Sequence, residues 1–255
     1  MPPRSRAAAP RPALLVPLAG ALLLLLLLSP PCHCVNEQGQ ALLRWKDTLR
    51  PASGALASWR AADAGPCRWS GVSCDARGDV VGLSITSVDL RGPLPANLQP
   101  LAASLKTLVL SGTNLTGAIP KELGGYGELT TLDLSKNQLA GAIPPELCRL
   151  ANLESLALNS NSLRGGIPDD IGNLTSLTYL TLYDNELSGP IPASIGNLKK
   201  LQVLRAGGNQ GMKGPLPPEI GGCTDLTMLG LAETGVSGSL PETIGQLRKI
   251  QTIAI

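Results

Sequence analysis

Phenylalanine is absent from the 255 residues, and tyrosine and tryptophan occur three times each. Aromatic rings supply much of the buried area of an ordinary globular core, so the core here must be aliphatic. Histidine is nearly absent too: His33 is the single one, and it lies in an N-terminal stretch expected to be removed. A chain without histidine lacks the commonest general base and the commonest zinc ligand, which argues against most hydrolase and metalloenzyme functions and implies no cofactor and no metal. Charge is sparse at 16% and balanced, 21 basic residues against 19 acidic, so no electrostatic case exists for nucleic acid. Six cysteines are too few for a disulfide scaffold of this length. What is abundant is leucine, with 29 glycines and 22 prolines.

Residues 1–34 read as a secretory signal peptide. Arg4, Arg6 and Arg11 precede the apolar run ALLVPLAGALLLLLLL of residues 13–28, and Ser29, Pro30 and Pro31 end it. The run has 16 residues and contains Pro17, short of the roughly 20 that span a bilayer. Cleavage is expected after Cys34, with an uncleaved anchor as the alternative. No second apolar stretch approaches membrane length, so no membrane span is expected in the mature chain. Loss of three arginines leaves 18 basic against 19 acidic residues, too even for adhesion to a membrane by charge.

Residues 35–79 read as a cap. In EQGQALLRWKDTL, residues 37–49, Ala41, Leu42, Trp45 and Leu49 recur at helical spacing, and GALASWR, residues 54–60, suggests a second short helix presenting Leu56 and Trp59. Cys67 and Cys74 in CRWSGVSC are expected to form a disulfide in a secreted protein. An elongated protein must close its apolar end, which is the work of a cap. Cys148 and Cys223 lie three repeat units apart, roughly 14 Å at about 4.8 Å per strand. That exceeds the roughly 7 Å limit for a disulfide, so both read as buried small hydrophobes.

From residue 80 the chain repeats. Pro95, Pro120, Pro144, Pro168, Pro192, Pro217 and Pro241 are spaced 25, 24, 24, 24, 25 and 24 residues apart. A fixed period in this range signals a solenoid, and L-x-x-L-x-L-x-x-N-x-L matches the leucine-rich repeat. Residues 80–255 hold seven units and a truncated eighth. In LTTLDL, Leu132 and Leu134 alternate with Thr131, Asp133 and Ser135, the two-residue period of a strand. Asn137, Asn161, Asn185 and Asn209 recur where the chain leaves the strand and can satisfy buried turn groups in neighbouring coils. Val88, Thr113 and Thr234 interrupt this ladder, so its ends are expected to be looser. Gly141, Gly165 and Gly189 permit a bend, and the prolines are expected to stop the chain from returning to an inner sheet or a long helix.

GAIPPEL, GGIPDDIGNL and GPIPASIGNL resemble the plant-type leucine-rich repeat, and ALLRWKDTL followed by CRWSGVSC resembles the N-terminal cap of plant receptor-like kinases. The resemblance covers residues 37–255. It implies an α/β solenoid: a right-handed superhelix with a parallel concave β-sheet and a helical N-terminal cap. Residues 204–255, from LRAGGNQGMKGPLPPEI onward, resemble the subgroup that binds root meristem growth factor peptides, which carry a sulfated tyrosine. Such receptors continue through further repeats, a membrane helix and a cytoplasmic Ser/Thr kinase, and stand in the plasma membrane facing the apoplast. The chain stops at Ile255, two strand positions into its eighth unit and without a closing cap, so a fragment of a longer receptor is expected.

A ligand would lie across the concave side chains. Between the two strand leucines, successive coils present Ser84, Val109, Asp133, Ala157, Thr181, Arg205 and Gly230. Gly207, Gly208, Gly230 and Ala232 carry almost no side chain and should leave a hollow, with Arg205 in it and Tyr179 and Tyr183 along one side. Glycine N–H groups and a guanidinium suit an anion, and an aromatic wall suits a ring, so a sulfotyrosine fits both. In the resembling receptors an R-x-G-G motif takes this part, here Arg205 to Gly208. The structural alternative is that Gly207 and Gly208 accommodate the extra residue of a 25-residue unit. Asp133, Asp184 and Glu233 could pair with basic peptide residues or be ordinary solvated charge. Asn114 and Asn173 begin the two N-x-T glycosylation sequons, Asn173 on the return side of its coil and Asn114 nearer the strand. The partners implied are a secreted peptide and a co-receptor kinase. A secreted defence protein of the polygalacturonase-inhibitor type shares the repeat, but such inhibitors are closed at both ends. A short co-receptor would need a membrane helix. An enzyme is disfavoured, since the adjacent acids Asp169 and Asp170 have no base, metal ligand or phosphate loop nearby.

Overall fold

The computed structural model describes residues 35–50 and 54–255; the signal-peptide reading of residues 1–34 falls outside them. The cap opens with a helix over Glu37–Lys46. Asn36 caps it by accepting from the Gly39 N–H at 2.9 Å, Glu37 sits in the first turn and Arg44 and Lys46 in the last, each favouring the helix dipole. Ala41, Leu42 and Trp45 are buried on one face, with Leu49 beyond. Residues 54–58 form turns rather than the expected second helix, with Ala57 N–H bonded to Gly54 O and Trp59 N–H to Leu56 O. So short a segment cannot repay helix nucleation, and Gly54 is left-handed at φ 70°. Leu56 and Trp59 are buried all the same. Trp59 stacks on Trp69 at 5.4 Å between ring centroids and meets Trp45 at 6.1 Å. Cys67 and Cys74 form the expected disulfide, and strand Val72–Cys74 pairs antiparallel with Val80–Thr86.

From Val80 eight strands stack in parallel and, with Val72–Cys74 at the edge, make a nine-stranded sheet that ends at Thr252–Ala254. Leu108, Leu132, Leu156, Leu180, Leu204, Leu229 and Ile253 lie in register across it. The six leucines are at most 1% exposed, and Ile253 is 41% exposed. These leucines, with Leu134, Leu158, Leu182 and Leu231, form one aliphatic spine.

The asparagine ladder bridges coils as expected. Asn185 Nδ2 donates to Leu182 O in its own coil and Leu158 O in the preceding one, while its Oδ1 accepts from the Leu163 N–H, all at 3.0 Å. Asn137, Asn161 and Asn209 repeat the pattern. Thr113 does not loosen its end of the ladder. It is fully buried, and its hydroxyl donates to Leu110 O at 3.2 Å and meets Asn137 Oδ1 at 3.0 Å. At Thr234 the hydroxyl keeps the bond within its own coil, to Leu231 O.

A second parallel sheet of seven strands, from Gly92–Pro93 to Gly235–Val236, was not expected. The prolines do not prevent it because it forms before them. The asparagine Oδ1 fixes the N–H of Leu115, Leu139, Leu163 or Leu187, and the residue ahead of proline is held extended. Gly117, Gly141, Gly165 and Gly189 bend the chain out of these strands at φ 77–85°, a region that glycine enters without penalty. After each proline a single 3₁₀ turn, such as Asp169–Asn173, carries the chain back. Cys148 and Cys223 are free and buried, and burial pushes each thiol up to about 11.

Candidate functional site

Strand alternation aims Thr181, Arg205 and Gly230 out of the concave sheet in one row, paired in register. Just past these strands the chain turns outward, and Asp184 and Glu233 take left-handed conformations at φ 54° and 59°. Together these coils surround a hollow of about 490 Å³. Of the expected residues, Tyr183, Asp184, Arg205, Gly207, Gly208, Gly230, Ala232 and Glu233 line it. Three others do not. Tyr179 is 46% exposed at the far end of its strand. Thr181 turns its hydroxyl to Asn159 Oδ1 at 3.1 Å. Asp133 stands three strands from Arg205, about 14 Å at the usual strand spacing, and its carboxylate accepts from the Ser135 N–H. Besides the spine leucine Leu229, the wall also holds Met228, Thr252 and Ala254. They were missed although they occupy the same outward columns one or two coils on, so extending the register would have found them.

The Arg205 guanidinium carbon lies 4.4 Å above the centroid of the Tyr183 ring, a cation–π contact that holds the side chain at the mouth of the hollow. Among the described residues Arg205 makes no ion pair. Its donors are therefore available to a ligand, while Asp184 and Glu233 give the rim negative charge. The glycines differ from expectation. Gly208 N–H is bonded to Ala232 O at 2.9 Å and cannot serve an anion, whereas Gly207 N–H has no partner among the described residues. A Cβ on Gly207 would come within 2.7 Å of Ala232 O, a backbone clash. On Gly230 it would meet Arg205 Cγ at an ordinary 3.6 Å, so Gly230 widens the hollow without being demanded by packing.

The extra residue of this unit lies elsewhere. Leu204 sits in register with Leu180, and Asn209 holds the same ladder bonds as Asn185. Both pairs are 24 residues apart, while Pro192 and Pro217 are 25 apart. The insertion therefore falls between Asn209 and Pro217, downstream of Gly207 and Gly208. Both sequon asparagines are exposed. Among the described residues no cluster could hold a metal ion and no helix is long and apolar enough to cross a membrane.

The family described as "Leucine rich repeat N-terminal domain" matches residues 35–75, and "Leucine-rich repeat region" matches residues 97–213. The Arabidopsis thaliana leucine-rich repeat receptor-like serine/threonine-protein kinase RGI4 is 50% identical over 104 residues, 41% of this chain and 10% of that protein. The chain thus matches about a tenth of the length of this curated relative. The plant peptide hormone receptor RGFR1, solved in complex with RGF2, is 54% identical with a TM-score of 0.69, covering 74% of this chain and 29% of that one. The BIR2 ectodomain from Arabidopsis thaliana is 33% identical with a TM-score of 0.63, over 69% of this chain and 94% of that one. The cap with its disulfide, the stacked parallel strands and these likenesses agree: the chain belongs to the leucine-rich-repeat ectodomains of plant receptor-like kinases.

Proposed function

We propose that this chain supplies extracellular repeats of a receptor-like kinase that sense a secreted, tyrosine-sulfated peptide, and that the sulfotyrosine enters the hollow at Arg205. In this reading residues 1–34 direct the chain into the secretory pathway, residues 35–79 cap it and residues 80–255 carry the repeats. The finished receptor faces the apoplast from the plasma membrane and works with a co-receptor kinase. The observation that carries the reading is the Arg205 guanidinium, paired with no carboxylate among the described residues and held over Tyr183 in a recess wide enough for a ring. A guanidinium binds an oxyanion through paired, charge-assisted hydrogen bonds. Its rest on Tyr183 means that little side-chain freedom is lost when the ligand arrives. Gly207 N–H adds an unbonded donor. Asp184 and Glu233 would engage amide or basic groups flanking the sulfated residue. RGFR1, a similar ectodomain, is a plant peptide hormone receptor solved in complex with RGF2, and no observation favours the inhibitor reading.

Calorimetry with RGF2 in sulfated and unsulfated forms tests this. A charge-assisted hydrogen bond is worth about 1.5–3 kcal/mol, so Arg205→Ala should weaken the sulfated peptide roughly 10- to 100-fold and leave the unsulfated one unchanged. Equal affinity for the two peptides would remove the sulfotyrosine from this hollow.

A further inference from the structure

A larger cavity, about 620 Å³, lies away from the concave face, at the seam between the cap and the second sheet. Thr48 and Arg50, just past the cap helix, form one wall, Arg91 and Pro93 the next, and Thr116 and Gln138 the third. Asn114, the first residue of an N-x-T sequon, is in the same lining. We propose that Asn114 carries an N-linked glycan whose first sugars fill this cavity and tie the cap to the repeats. The inference rests on the secretory reading above.

Asn114 Nδ2 donates one hydrogen bond, to Asp89 Oδ1 at 2.9 Å. Asp89 is itself held by Arg91, with Nε at 3.0 Å and Nη2 at 2.7 Å. A glycosylated asparagine keeps one hydrogen on Nδ2. Asp89 can take that hydrogen, so the second position, which no described residue occupies, is the one the sugar replaces. The existing bond thus survives modification and fixes the direction in which the glycan leaves. The cavity has the surface a sugar needs: guanidinium, amide and hydroxyl groups for its oxygens and the Pro93 ring for its C–H face. Thr48 and Pro93 also line a neighbouring recess of about 310 Å³ with Trp45 and Asn97, so a second sugar has a continuing path. Asn114 is the sequon asparagine in this lining. Asn173, the other sequon asparagine, is exposed, and its side chain makes no hydrogen bond among the described residues. Sugars there would extend into solvent.

The full chain, expressed in plant cells, supplies the test. Mass spectrometry should find hexosamine on Asn114, and an endoglycosidase should release it several-fold more slowly than the Asn173 glycan from native protein, at equal rates after denaturation. Asn114→Gln should lower the melting temperature by roughly 2–4 °C, whereas Asn173→Gln should not. Thr116→Ser, which keeps the sequon, should retain both glycan and stability. A bare Asn114 beside a modified Asn173 overturns the inference alone, and both bare overturn it together with the secretory reading. An Asn114 glycan released as fast as that on Asn173, with no loss of stability in Asn114→Gln, shows a sugar in solvent and overturns it as well.

Discussion

Asn185 shows what a single side chain does here. Its amide is buried and joins two coils by three bonds: it donates to Leu182 O in its own and to Leu158 O in the one before, and it accepts from the Leu163 N–H in a strand of the second sheet. Aspartate would offer the acceptor without the donors, and alanine neither. A buried backbone group left without a partner costs about 1–3 kcal/mol. Asn185→Ala is therefore expected to lose more than about 3 kcal/mol in urea unfolding, although no ligand is near. An alanine at exposed Lys136 should change little. Arg205 is the opposite case. It is exposed, so its replacement should leave stability intact and show itself in peptide binding alone.

At the scale of elements, the cap concentrates every tryptophan of the chain. Trp59 contacts both Trp45 and Trp69, and each indole N–H has a partner: Pro93 O for Trp45, Ser70 O for Trp59 and Asp63 Oδ2 for Trp69. The Trp45 bond crosses from the cap helix to the first strand of the second sheet, so cap and repeats share a seam rather than merely abutting. Trp59 is the middle of the cluster and 1% exposed. Trp59→Ala should cost about 3–5 kcal/mol, read as an earlier thermal transition whose first phase is loss of tryptophan fluorescence. The same burial explains why residues 54–60 need no helix, since turns deliver Leu56 and Trp59 to the cluster equally well. Helical spacing in so short a segment reports which residues go inside and not which backbone takes them there.

At the scale of the molecule, each coil contacts its neighbours through equivalent positions, so stability is a sum of coils and interfaces. Removal of residues 153–176 takes out one whole period and joins Asn152 to Leu177, restoring the spine and the ladder. That deletion should keep the circular dichroism spectrum and a cooperative melt. Removal of residues 153–164, half a period, should abolish both, because Leu177 would then fall half a turn out of register with Leu129. A native spectrum after the half deletion would show that the coils do not depend on one shared register.

The stack, the buried leucines, the cap disulfide and the outward columns were all legible in the residues. Strand alternation is local, and a period of 24 or 25 repeats that local rule until equivalent residues must align. For the same reason eight members of the Arg205 hollow could be named from the columns. The tertiary structure decided the rest: that Arg205 lies on Tyr183 while Tyr179 stays apart, that Gly208 spends its N–H on Ala232 O, that a second sheet precedes each proline, and that Asn114 faces a cavity beside Asp89. Each of these depends on a side-chain rotamer or on a bond between coils more than twenty residues apart. Periodicity states which positions become neighbours, but the direction a side chain takes among them is settled only when the coils have packed.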